Sequence, residues 1–195
     1  MWLDRVKAVY KDNLQINWKN FSLEQNAFAL KQKAEGTQSD WKVWEDPNAN
    51  ERRSLIAQIA AEASRSQGED AYDRYHVALL TARHGGDGRA PLNDIDVLVK
   101  VGEEIGLDGA RLREDMKAPE LAMKIGKDHE EAVSLGIFGT PTFLFESGNV
   151  AFLKTFIPPV EDSVGALEAF LATASQRSYV GEIKRPQPPW PKGAM

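Results

Sequence analysis

From Leu135 to Gly148 the chain reads LGIFGTPTFLFESG, and this stretch limits the fold more than any other. Gly136 stands where a helix-ending glycine belongs, at the close of the periodic run PELAMKIGKDHEEAVSLG. Thr-Pro comes next at 140–141, directly before the apolar run TFLFE. Pro141 fixes the direction of the strand TFLFE, with Phe143 and Phe145 on one face and Thr142 and Leu144 on the other. Ser147-Gly148-Asn149 then separates TFLFE from VAFLKTF, which reads as a β-hairpin. The Gly-x-x-Gly-Thr-Pro context after a helix and before a strand also predicts a cis Thr140–Pro141 bond.

Upstream, the pattern is helical. Leu55, Ile56, Ile59, Ala60 and Ala63 recur on one face up to Gly68, and Tyr72, Tyr75, His76, Leu79 and Leu80 repeat the pattern to Gly85 and Gly86. Asn93 is a candidate cap for a helix carrying Ile95, Leu98, Val101 and Ile105. A shorter helix, GARLREDMK, ends before Pro119, which opens the next at a first helical position. At the start of the chain, Trp2, Leu3, Val6 and Val9 or Tyr10 predict an amphipathic helix over 2–11. Leu14, Ile16 and Trp18 alternate with polar residues, predicting a strand over 15–21. Residues 24–50 are polar and read as irregular around Trp41 and Trp44. A closing helix places Val164, Leu167, Phe170 and Leu171 inward. The tail from Arg185 is proline-rich and is expected to be extended or disordered. One strand before the helices and two after them most simply make one sheet with a helical insertion.

Composition removes several function classes. The 195 residues carry a net charge of −5, with no block of like charges, so nucleic acid is not an expected partner. No apolar run approaches the roughly 20 residues of a membrane span. The first 15 residues are amphipathic and charged, unlike a secretory signal, so the expected location is cytoplasmic. Cysteine is absent, which excludes a disulfide framework, a cysteine nucleophile and thiolate ligands. His76, His84 and His129 are far apart in sequence, and no metal site is expected.

The element order, with GIFGTPTFLF where the helices meet the hairpin, resembles the DsbA-like branch of the thioredoxin fold. That branch includes FrnE-type proteins and the 2-hydroxychromene-2-carboxylate isomerase (kappa-class glutathione transferase) relatives. In this resemblance WLDRVK is the first helix, INWKNFSLEQ holds the second strand and the residues just after it, and residues 51–135 are the helical insertion. It implies an α/β thioredoxin-like domain made of 1–49 and 136–184, an insertion domain over 50–135 and a tail over 185–195. The family's first strand carries Cys-Pro-x-Cys, or a serine in the isomerase members, about ten residues before Trp2. That strand is missing from the sequence, so a misassigned or engineered start, or another segment in its place, is expected. The resemblance implies thiol–disulfide oxidoreductase ancestry. With no cysteine, the chain is expected to be redox-inactive. Glutathione-dependent isomerisation or transfer, and non-catalytic peptide binding, are the alternatives, in a monomer or homodimer.

The resemblance also places substrate at Gly139, Thr140, Pro141 and Phe138. A cis-Pro there turns the Thr140 backbone outward, so that a peptide, a thiol substrate or glutathione pairs with it as a short added strand. No resident cofactor is implied, and glutathione would be a cosubstrate. Ile137 reads as core, and Phe138 fits either core or groove. Phe21, Trp41 and Trp44 could wall an apolar pocket, although packing between layers is the more common fate of such residues. His76, on an apolar face, reads first as a core histidine and second as a base. The cluster of His129 with Glu130 and Glu131 reads as a solvated face. Tyr10, Ser22, Thr37 and Ser39 carry hydroxyls, but none has a base at a recognisable spacing.

Overall fold

The computed structural model describes residues 2–68, 70–85 and 89–183. Gly86 and the proline-rich tail lie outside these residues. The chain divides into two compact units, one built from residues up to Asn17 and from Leu135 onward, the other from Trp18–Ser134.

The unit Trp18–Ser134 is helical, and its core surrounds one short helix. That helix, α3 (Ile56–Ala63), has Leu55 just ahead of it and buries Ile56, Ile59, Ala60, Ala61 and Ala63. Alanines at this spacing let neighbouring helices approach on more than one side. α4 (Ala71–His84) adds Tyr72, Tyr75 and Leu79, and α5 (Ile95–Glu104) adds Leu98 and Val101. α6 (Gly109–Asp115) gives Leu112, and α7 (Pro119–Ser134) gives Ala122 and Ile125. Burying each large aliphatic side chain is worth about 1.5–3 kcal/mol. Of the two buried tyrosines in this core, Tyr75 donates from Oη to the Leu98 carbonyl at 2.7 Å. Asp94, rather than Asn93, caps α5: its side chain accepts from the Asp96 N–H at 2.9 Å.

Two expectations fail at the start of this unit. Residues 24–50 are not irregular throughout, because α2 runs over Leu23–Glu35. Ser22 caps it by accepting from the Gln25 N–H at 3.2 Å, and Gly36, at φ 65°, ends it. Among the described residues none of α2's is buried, so no apolar stripe announces it. The strand expected over 15–21 is absent as well. The backbone turns extended at Leu14 (φ −128°, ψ 106°), yet the sheet formed by the described residues contains two strands only, both from the hairpin. Where a ladder would have satisfied the backbone, side chains do so. The Asn20 N–H donates to Asp128 Oδ2 at 3.0 Å and the Ser22 N–H to His129 Nδ1 at 3.2 Å.

The other unit holds the hairpin and two helices. α1 (Trp2–Tyr10) lies against α8 (Ser163–Ala174), with Trp2 Nε1 donating to the Ser163 carbonyl at 2.8 Å and Tyr10 Oη to Glu168 Oε1 at 2.8 Å. β1 (Thr142–Leu144) pairs antiparallel with β2 (Val150–Phe152), with Phe143 opposite Ala151. The strand expected from VAFLKTF therefore stops at Phe152. Phe143 and Phe145 share one face and meet Phe170 of α8 at ring distances of 4.9 and 5.7 Å. Asn149 Nδ2 ties the turn to the Ser175 carbonyl at 2.6 Å. No helix among the described residues is long and apolar enough to cross a membrane.

Candidate functional site

The hairpin has two faces and two outer edges, one on each strand, and what each presents follows from period-2 geometry. Leu153 N–H donates to the Pro141 carbonyl at 3.1 Å and Phe145 N–H to the Asn149 carbonyl at 3.0 Å. With Phe143 opposite Ala151, odd-numbered β1 residues thus turn their backbone groups toward β2. The N–H and C=O groups of Thr142 and Leu144 turn the other way, toward an edge that no described residue pairs with. The faces alternate too. Phe143 and Phe145 point to α8, while Thr142, Leu144, Val150 and Phe152 lie on the opposite face.

That opposite face is apolar and open. Leu144 is 55% exposed, and Val150 and Phe152 are exposed as well. Phe138 is 63% exposed, and its ring lies 5.2 Å from that of Phe152. Of the two fates read for Phe138, the structure therefore gives the exposed one. Ile137 is half-buried. Gly139 runs along the Phe152 ring, so a Cβ there would sit 3.5 Å from Phe152 Cε2. Thr140 and Pro141 are exposed, and the Thr140–Pro141 bond is cis. Thr142 Oγ1 donates to the Gly139 carbonyl at 2.6 Å, which fixes the turn before β1. Gly139, Thr140, Pro141 and Phe138 thus form one strip. From Ile137 to Phe145 the strip has no ionisable side chain. It offers backbone donors, backbone acceptors and apolar surface.

The remaining candidates belong to the helical unit. Trp44 is core: it is buried flat on α7, where a Cβ on Gly126 would lie 2.5 Å from three indole carbons. Its ring is 5.3 Å from that of His129, and Phe21 approaches the same imidazole at 4.6 Å. Trp41 packs on Phe28 at 4.7 Å and lies under the Arg52 guanidinium. His76 is half-buried in a stack, 4.5 Å from Trp18 and 5.7 Å from Tyr72, and burial holds its pKa below the ordinary range. The solvated-face reading holds for Glu130 and Glu131 but fails for His129, which is 4% exposed. The hydroxyls are engaged locally, Ser22 as a cap, Ser39 accepting from the Trp41 N–H and Tyr10 on Glu168.

A buried polar network went unread in the sequence. Glu62, 3% exposed on α3, accepts from Asn20 Nδ2 at 2.9 Å, from Arg65 Nε at 2.8 Å and from Lys124 Nζ. Asn20 Nδ2 also donates to Asp128 Oδ2 at 3.0 Å. Burial alone would raise the Glu62 pKa, but the donors Arg65, Lys124 and Asn20 outweigh it and hold the group below its ordinary range. The one available signal was a glutamate inside the apolar run LIAQIAAEA.

A family model described as a DSBA-like thioredoxin domain matches residues 1–166. A search among curated proteins returned no match.

Proposed function

Since the chain belongs to the DSBA-like thioredoxin domain family, we propose that it binds an extended peptide along the strip from Phe138 to Leu144. The observation that carries this reading is the open edge of β1. The outward N–H and C=O groups of Thr142 and Leu144 match the main-chain pattern of an added strand. Phe138, beside Phe152, supplies apolar contact for a side chain of the ligand. Descent from thiol–disulfide oxidoreductases supports the choice of a cysteine-bearing peptide as ligand. The chain supplies no thiol of its own, so it performs no exchange by itself. On this reading the thioredoxin-like domain carries the strip and the helical segment is its insertion, as the family resemblance implies.

A second reading is glutathione-dependent isomerisation, favoured by the lack of any ionisable group from Ile137 to Phe145. The nucleophile would then be the sulfur of glutathione. One titration separates the two. Backbone amide signals of Gly139, Thr140, Thr142 and Leu144 are monitored while an extended apolar peptide or reduced glutathione is added. Shifts with the peptide alone support peptide binding, and shifts with glutathione support the cosubstrate reading. If neither ligand moves these signals, the site assignment fails. Turnover in an insulin-reduction assay would overturn the redox-inactive reading.

A further inference from the structure

The backbone from Lys19 to Ser22 is fastened to two consecutive residues of α7. Asp128 Oδ2 accepts from the Asn20 N–H at 3.0 Å, and His129 Nδ1 accepts from the Ser22 N–H at 3.2 Å. Lys19 Nζ adds contacts to Asp128 at 3.3 Å and Glu131 at 3.0 Å. Had a neighbouring strand held this segment, its acceptors would have been carbonyls, which do not titrate. Here one acceptor is an imidazole. Its Nδ1 accepts only while unprotonated, and a proton there sets one donor against another. The ring is enclosed by Phe21 and Trp44, so water does not readily replace the lost partner.

The same hydrogen bond lies at the start of α2. Ser22 is the cap of that helix, and none of α2's residues is buried among those described. Further along its first turn, Gln25 Nε2 donates to the Trp41 carbonyl at 3.0 Å and Gln25 Oε1 accepts from the Val43 N–H at 2.9 Å. α2 is therefore held by polar ties at its N-terminal end, the first of them made by His129, together with the packing of Phe28 on Trp41.

We propose that His129 and the Ser22 N–H form a proton-operated latch. Near neutral pH it is closed, and the segment Lys19–Ser22 with the first turn of α2 is fastened to α7. On mild acidification His129 takes one proton from solvent at Nδ1, the bond to Ser22 is lost, and the segment and that first turn are released.

The charges around the imidazole set the direction. Burial holds the His129 pKa below its ordinary value, and Glu130 on the same helix acts against it. Glu130 is itself paired with Lys42, which also lies 3.8 Å from Glu45. Asp128 and Glu131 face Lys19 from α7, and Glu62 faces the segment from α3 with Arg65 and Lys124 bound to it. On α2, Glu24 is paired with Arg52. Each carboxylate near the latch thus has a cationic partner, and desolvation decides. The released histidine binds a proton below about pH 6.5, whereas the closed one resists, so acid favours release.

Amide hydrogen exchange at Asn20 and Ser22, expressed as protection factors from pH 8 to 5, tests this directly. Protection at Ser22 should be constant above about pH 6.5, fall by up to about tenfold per pH unit below it, and level off where the His129 ring titrates by NMR. Ile59 in α3 should keep its protection throughout. His84→Gln should behave as the parent, because His84 is exposed at the end of α4. His129→Gln offers an amide oxygen that accepts and does not titrate, so its Ser22 protection should be flat over the same range. Constant protection in the parent, or the same fall in His129→Gln, overturns the latch. Should His129→Gln not fold, the parent decides alone: a fall at Ser22 that continues past the titration of the His129 ring overturns it.

Discussion

Glu62 and Gly126 show how much of the helical unit depends on single positions. Glu62 is a buried carboxylate with three donors, and removing it would take this acceptor from Arg65 and Lys124 and leave Asn20 Nδ2 with Asp128 alone. The arginine and lysine are about half exposed, so they can turn to water, and buried Asn20 loses one of the two acceptors of its amide nitrogen. Glu62→Ala should therefore cost about 1–3 kcal/mol rather than the larger penalty of a stranded buried charge. Its depressed pKa gives a sign. The stability it contributes is present above its ordinary value near 4.5 and is lost as pH falls below that. Glu62→Gln should flatten the pH 3–5 part of a stability profile taken by urea denaturation, and an unchanged slope there would count against the network. Gly126→Ala must displace the Trp44 indole or bend α7. A loss of about 1–3 kcal/mol is expected in the same measurement. Neither role was legible in the sequence. The partners of Glu62 lie far away along the chain, and a glycine inside a helix pattern shows no sign of the ring that covers it.

Elements were legible where an apolar stripe faces a core and hidden where it does not. α3, α4, α5 and α7 could be read from their periodicity because burial put the apolar residues there. α2 gave no such stripe, and its signals, Ser22 at one end and Gly36 at the other, are local backbone chemistry. Ser22→Ala should consequently cost about 1 kcal/mol, typical of a lost cap, with the exchange protection of Gln25 and Asn26 falling most. Equal protection at these amides in variant and parent would refute this. Leu14, at the head of the alternation with Ile16 and Trp18, is in extended backbone, but a strand also needs a neighbour. The Asn20 and Ser22 amides found side chains of α7 instead, and no pattern within residues 14–22 could announce that. The hairpin was legible because its turn residues and its alternation agree. Its strip could be located through the Thr-Pro turn, whereas the exposure of Phe138 depends on neighbours brought there by the fold.

For the molecule as a whole, burial is unequal between the units. The large apolar cluster lies within Trp18–Ser134, while Val6 and Leu167 are the buried hydrophobics among the described residues of the other unit. Native-state hydrogen exchange should therefore be slowest in α3 and much faster in β1 and β2. Comparable protection in both would contradict this distribution. The open apolar face of the hairpin should also promote self-association at high concentration. Leu144→Lys, at an exposed position, should reduce light scattering while changing stability by no more than about 0.5 kcal/mol. The parity of β1 has a further outcome. Which backbone groups reach the open edge and which side chains reach Phe170 are decided by one odd–even count along residues 141–145. Deleting a single residue from that run would turn Phe143 and Phe145 away from α8 and, in the same step, exchange the groups offered at the edge. The aromatic packing therefore acts as a frame check on the edge: a one-residue indel that exchanges the groups at the edge also unseats the hairpin, and neither can drift while the other is kept.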